Sequence, residues 1–390
     1  MLVLHHPATL DHCTIEILNG KVIPAYECPE RISTILDFLR KEGRHELHDI
    51  SNQDHRTEPR DDAGSELNGT AALTDRLIAE THDPGYVKYL RTVHSDWVRL
   101  GVIKEEESLL PECFRVPSVA NTSTNRGPPR DVLALPGFYS FDLSSGISKG
   151  SWSSILASAE LAVEAARACV RGPAPSSSAL QKDVMALCRP PGHHCTTKMA
   201  GGYCYLNIAV IATHALRYFH AMSGNGQAGL PKIAILDLDF HHGNGTQDYF
   251  YRDPSVVYVS IHGKDEYPYY TGFGDETGEG AGEGANWNFP LMVHSSAKQY
   301  TNMVKQAMGI IEKAKPTYLV VSLGFDTYRM DPLGSFAIDT EDYETIARLV
   351  SEAPCLDGVP TVILLEGGYV LEALGPNLSS FLRGWESGRV

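Results

Sequence analysis

Short apolar runs alternate along this chain with longer stretches in which apolar positions recur every three to four residues. The runs are 1–5, 184–187, 232–237, 256–261, 318–322 and 361–365. Continuous apolar runs of this length read as strands buried on both faces. The stretches 153–170, 206–219, 297–314 and 340–351 carry the helical period. A further helix opens at Pro29, with Ile32, Ile35, Leu36 and Leu39 as its stripe, and another follows Asp83-Pro84. Strands alternating with helices predict a mostly parallel sheet with helices on both faces, a three-layer α/β/α fold. No linker divides the pattern, so residues 1–390 are expected to form one domain. The polar stretch 51–70 reads as a loop and 172–178 as a surface connection. Residues 104–135, with Glu105, Glu106 and Glu107 followed by several prolines, read as a long irregular segment.

In such sheets ligands bind beyond the carboxyl ends of the strands. The unusual residues gather there. Run 184–187 leads into Arg189, His193 and His194, and run 232–237 into Asp237, Asp239, His241 and His242. Run 256–261 brings Ser260 and His262, run 318–322 is followed by Asp326 and Asp331, and the last run ends in Glu366-Gly367-Gly368-Tyr369. Strand alternation turns Asp237, Asp239 and, if the strand lasts that far, His241 to one side. Two carboxylates in an apolar strand are costly to bury without a compensating cation. Carboxylate oxygen with imidazole nitrogen is a donor set that suits zinc. The alternative is a strand end whose charges reach solvent.

Composition narrows the reading. With 43% hydrophobic and 21% charged residues the chain is of ordinary globular type, and its formal charge of −15 argues against direct nucleic-acid binding. An acidic balance is compatible with a cationic substrate. The eight cysteines form no CxxC pair and read as reduced thiols. No apolar run approaches ~18 residues, so no membrane span is expected. The first residues lack a signal-peptide pattern, and a cytoplasmic or nuclear location is expected.

Five motifs together resemble the arginase/deacetylase superfamily, and within it the zinc-dependent histone deacetylases and acetylpolyamine amidohydrolases. They are Arg189-Pro-Pro-Gly-His193-His194, Gly202-Tyr203-Cys-Tyr-Leu-Asn207, Asp237-Leu-Asp239-Phe-His241-His242-Gly-Asn-Gly245, Gly324-Phe-Asp326 and Glu366-Gly-Gly-Tyr369. Pro29-Glu-Arg31 and His82-Asp-Pro-Gly-Tyr-Val87 extend the likeness toward the N-terminus. The resemblance implies Asp239, His241 and Asp326 as Zn²⁺ ligands, His193 and His194 as the proton-handling pair, and Tyr369 as donor to the substrate carbonyl. It implies Asp237 behind His193, and Asp237 with Ser260 around a monovalent cation, K⁺. Gly202, Tyr203, Tyr270 and Leu333 would line the acetyl-lysine tunnel, and Arg31 an inner channel. Asn244 stands where many histone deacetylases place an Asp facing the second histidine. A neutral partner raises that histidine's basicity less than a carboxylate would, so which histidine is the general base stays open.

The activity implied is hydrolysis of acetylated amines, with a histidine moving the proton and Tyr369 stabilising the oxyanion. Small acetylamines such as acetylpolyamines are the expected substrates. The stretch 14–31 resembles the acetylpolyamine branch, and segment 104–135 stands where those enzymes carry a loop that pairs subunits into a homodimer. Glu16, Glu105, Glu106, Glu107 and Glu112 could hold carboxylates near a polycation. Acetyl-lysine in proteins is the alternative substrate. A two-manganese arginase-like hydrolase and a metal-free acetyl-binding module are the competing classes; Gly324 where the former would carry an Asp, and the full set of site residues, weigh against them.

Overall fold

The apolar runs become strands of one sheet. The computed structural model describes residues 1–52, 69–114, 127–171, 183–224 and 229–389. Its strands are β1 (Leu2–His5), β2 (Ile15–Leu18), β3 (Lys21–Pro24), β4 (Glu46–Asp49), β5 (Val184–Ala186), β6 (Ile233–Asp237), β7 (Val256–Gly263), β8 (Asn286–Leu291), β9 (Tyr318–Leu323) and β10 (Thr361–Leu365). Its helices are α1 (Glu30–Glu42), α2 (Gly69–Thr81), α3 (Pro84–Arg99), α4 (Leu135–Tyr139), α5 (Ser151–Arg171), α6 (Ile208–Met222), α7 (Asn244–Phe250), α8 (Ala297–Ala314), α9 (Asp342–Ser351) and α10 (Leu371–Gly388). Eight strands pair in the order β4-β1-β5-β10-β9-β6-β7-β8, all parallel. β2 and β3 form a separate antiparallel hairpin.

Period-two alternation divides each strand between two cores. Ile233 and Ile235 of β6 pack with Leu77 of α2, Val93 of α3, Leu161 of α5 and Ile211 of α6. Ala234 and Leu236 face the other way, with Ile35 of α1, Val304 of α8, Ile346 of α9 and Phe381 of α10. The result is the expected three-layer α/β/α arrangement. The stripe read on α1 is buried throughout, and the helix ends at Gly43 in the left-handed region (φ 68°), where glycine carries no Cβ penalty.

The two edge strands, β4 and β8, were not expected, nor was the hairpin. The described parts of segment 104–135 are irregular as read, up to a short helical turn at Val132–Ala134 that leads into α4. The loop expected at 51–70 lies mostly outside the described residues, as do 172–178 and the middle of 104–135. The sheet order has a direct consequence for the site. The five strands with unusual C-terminal residues, β5, β10, β9, β6 and β7, are consecutive neighbours, so their ends open side by side.

Candidate active site

β6 ends at Asp237, so Asp239 and His241 are placed by the loop beyond it rather than by strand alternation. That loop meets Asp326, just after β9. His241 Nδ1 lies 2.8 Å from Asp326 Oδ2 and 3.3 Å from Asp239 Oδ1. One donor atom from each of the three falls within 4.8 Å of the others. Backbone amides steady the carboxylates: His241 N and Gly367 N donate to Asp239 at 2.9 and 2.8 Å, and Phe240 N to Asp326 at 2.9 Å. The space around them is tight. A Cβ on Gly324 would lie 2.1 Å from Asp239 Oδ2, and one on Gly367 2.5 Å from Asp326 Oδ2.

Both carboxylates are fully buried. Burial, reinforced by the Asp239 charge, pushes the Asp326 carboxyl up to about 7. Burial would also raise Asp239, but the imidazoles of His193 and His241 outweigh it and hold the group ionised. His241 is raised to about 10, because its two carboxylate partners overcome the opposing effect of burial. Two buried carboxylates and an imidazole with converging donor atoms form a set that a divalent cation would satisfy, and the donor types fit zinc.

The loop after β5 brings His193 and His194 beside this triad, their rings 4.0 Å apart. Their partners differ. His193 Nδ1 faces Asp237 Oδ2 at 3.1 Å, whereas His194 Nδ1 faces Asn244 Oδ1 at 2.8 Å. For His193, burial lowers the pKa but the carboxylates of Asp239, Asp237 and Glu366 raise it well above the usual range. For His194, burial and the neighbouring charges of His193 and His241 push it well below. Asn244 offers its oxygen, so His194 Nδ1 carries the proton and Nε2 keeps its lone pair. Glu366 lies beneath the pair, accepting from Gly192 N (2.7 Å) and Ser322 Oγ (2.9 Å). Asp237 also accepts from Tyr258 Oη at 2.9 Å, and Ser260 stands opposite Asp237 on β7 with its Oγ 2.8 Å from His262 Nδ1.

Tyr369 follows the bend at Gly367-Gly368, where Gly368 has φ 115°, a conformation other residues rarely adopt. Arg31 is fully buried and ties this bend down. Its Nε donates to Gly368 O at 2.7 Å and its Nη2 to Glu366 O at 2.5 Å, and its guanidinium lies 5.0 Å from the Tyr369 ring centroid. Glu27 balances the guanidinium at 3.0 Å. Burial pushes the Tyr369 hydroxyl well above its usual range, against the pull of Arg31, so it remains a donor. Tyr203 packs against Tyr369 at 5.5 Å, and Leu333 joins them.

These groups open into a cavity of about 320 Å³ whose lining includes His194, His241, Gly202, Tyr203, Leu333 and Tyr369. His193 lies behind it. Tyr203 sits in the left-handed region (φ 63°), strain of order 1 kcal/mol that turns its ring inward. Its hydroxyl donates to Glu16 at 2.9 Å, and Glu16, on the β2–β3 hairpin, is 1% exposed.

Two expectations are corrected here. Tyr270 is 85% exposed and outside the lining. Tyr267 forms that wall instead, with its ring 4.9 Å from His194 and its hydroxyl 2.7 Å from Asp142 Oδ2. The loop reverses at Asp265 and Tyr269, both at positive φ, which turns Tyr267 inward and Tyr270 out. Of the five glutamates expected near a polycation, only Glu16 lines the cavity. Glu105, Glu106, Glu107 and Glu112 are exposed, and Glu105 pairs with Lys149 at 2.5 Å. The sequence reading also passed over Asp142 and Glu266, which line the cavity; a lone acid in a loop offers no periodic signal.

Residues 25–385 match the histone deacetylase domain. Acetylpolyamine amidohydrolase 1 of Pseudomonas aeruginosa is 36% identical over 378 residues, covering 95% of this chain and 94% of the relative. An acetylpolyamine amidohydrolase of Burkholderia pseudomallei is 38% identical over 310 residues, 79% of this chain and 82% of its own. The crystal structure of acetylpolyamine aminohydrolase from Burkholderia pseudomallei superposes with a TM-score of 0.80 at 34% identity, covering 100% of both chains. The fold is thus of the arginase/deacetylase type, and the chain belongs to the histone deacetylase family as a deacetylase.

Proposed function

We propose that the chain is a zinc-dependent amide hydrolase that removes acetyl groups from acetylpolyamines or similar small acetylamines. The observation that carries the substrate is the charge of the cleft: Glu16, Asp142 and Glu266 line it, with no lysine or arginine lining it among the described residues. Relatives named for acetylpolyamines, matched over nearly the whole chain, support the same reading.

Asp239, His241 and Asp326 would hold the zinc, which when bound supplies Lewis acidity toward the amide carbonyl and the attacking water. His194 is the general base in this reading, because it lines the cleft and its Nε2 lone pair is free. It takes the proton of the attacking water and returns it to the leaving amine. His193 with Asp237 holds positive charge beside it. Tyr369 donates to the oxyanion as the carbonyl carbon becomes tetrahedral. Gly202, Tyr203, Tyr267 and Leu333 confine the alkyl chain of the acetylated amine and exclude water. Asp237 and Ser260, opposite each other on β6 and β7, are assigned to a monovalent cation such as K⁺. In this reading the chain acts as one catalytic domain in the cytoplasm and pairs through segment 104–135. Among the described residues, no helix is long and apolar enough to cross a membrane.

The test is kcat/KM for acetylputrescine and acetylspermidine against an acetyl-lysine peptide, at low and high salt, with metal analysis of the purified protein. Acetylpolyamines are expected to lead by at least about tenfold, ~1.4 kcal/mol in the barrier. Their lead should shrink with salt as the carboxylates are screened. One zinc per chain is expected. A tenfold lead for the peptide would assign the enzyme to protein lysine deacetylation instead, and two manganese ions or no metal would remove the zinc mechanism.

A further inference from the structure

The three cleft carboxylates are not equivalent. Glu16 is committed: Tyr203 Oη donates to both of its oxygens at 2.9 Å, and Tyr26 N donates to Oε1 at 3.1 Å. Asp142 is committed too. It accepts from Gly202 N at 2.8 Å, Tyr267 Oη at 2.7 Å, Ser144 N at 3.1 Å and Ser144 Oγ at 2.7 Å. Each therefore buttresses an aromatic wall, Glu16 holding Tyr203 and Asp142 holding Tyr267. A carboxylate whose lone pairs are already occupied has less to offer an incoming ammonium.

Glu266 differs. Its carboxylate has no hydrogen bond or ion pair among the described residues, yet it lines the cleft. Tyr269 N donates to Glu266 O at 2.8 Å, closing the turn that carries both side chains. Tyr269 also lines the cleft and is 60% exposed, its ring 6.0 Å from that of Tyr267 and nearly perpendicular to it. An uncommitted carboxylate beside an accessible aromatic face is a receptor for an organic ammonium, through a charge-assisted hydrogen bond and a cation–π contact.

Resting on the acetylpolyamine reading above, we infer that Glu266, with Tyr269, is the group that reads the distal ammonium of the substrate, while Glu16 and Asp142 position the walls. Selectivity for a cationic amine then depends chiefly on one residue of the loop after β7. Among the described residues, Glu266 makes no hydrogen bond or ion pair with the metal ligands or the histidine pair, so binding and chemistry separate.

The experiment compares N-acetylputrescine with N-pentylacetamide, a neutral substrate of the same length, for the wild-type enzyme, Glu266→Gln and Glu266→Asp. The wild type should favour the charged substrate. In Glu266→Gln the charged-to-neutral ratio of kcat/KM should fall by about tenfold, the scale of one hydrogen bond to a charged group. The change should appear in KM for acetylputrescine, and Glu266→Asp should keep part of the ratio. Thermal unfolding of each variant checks the fold. A ratio unchanged in Glu266→Gln would overturn the assignment to Glu266 while leaving the polyamine reading standing. A wild-type enzyme that does not distinguish the two substrates would instead overturn the polyamine reading itself.

Discussion

Asp239→Ala is expected to abolish both metal binding and deacetylation. The carboxylate faces His241 at 3.3 Å and is steadied by the amides of His241 and Gly367. Removing it takes away one of three converging donors, and a site with two does not hold a catalytic zinc tightly. The loss reaches further, because Asp239 Oδ1 also lies 3.7 Å from His193 Nε2 and helps keep that ring charged. We expect kcat/KM to fall at least about 10³-fold, ~4 kcal/mol in the barrier. Elemental analysis should find less than stoichiometric zinc. Asp239→Asn, of the same shape but without the charge, separates loss of the ligand from collapse of the loop. Full activity with one zinc per chain in either variant would remove Asp239 from the metal site.

Tyr369→Phe is expected to lower kcat by about 10²–10³-fold while the protein keeps its metal and its fold. The ring is held from three sides: Arg31 at 5.0 Å, Tyr203 at 5.5 Å, and a backbone amide donating to Asp331 Oδ2 at 2.7 Å. None of these contacts needs the hydroxyl, so phenylalanine should occupy the same place. What disappears is a donor that burial keeps protonated and whose partner gains charge only in the transition state. The effect should therefore appear in kcat with KM little moved. An unchanged kcat would mean that the oxyanion draws its stabilisation from elsewhere.

Much of this arrangement was legible before folding, and for local reasons. The runs at β5, β6, β7, β9 and β10 are apolar on both faces because both faces of those strands are covered. The edge strands were not legible for the converse reason. β4 is half-buried at every position, and β8 is buried only at Asn286 and Asn288 and half-buried elsewhere, so neither reads as a core strand. The β2–β3 hairpin lies outside the main sheet, yet its signal is local: Ile15, Ile17, Val22 and Ile23 flank Asn19-Gly20, both at positive φ, a favoured two-residue hairpin turn that the search for buried core strands passes over. At the cleft, the family resemblance pointed to Tyr270 as the aromatic wall; that Tyr267 turns inward instead depends on the positive φ angles at Asp265 and Tyr269, which no local pattern gave.

Residue type and spacing determined which side chains stand at strand ends, since a strand's length and period are properties of a few consecutive residues. They determined the helix faces for the same reason. The order in which the strands pair, which side of the histidine pair faces the cleft, and which carboxylates are already occupied were decided only by tertiary structure. Glu16 meets Tyr203 across 187 residues of chain, and Asp142 meets Tyr267 across 125. Such contacts depend on how the hairpin and the loops settle over the ends of the sheet. No local pattern encodes them, because the free energy that selects them comes from packing the whole layer rather than from either partner's neighbours in sequence.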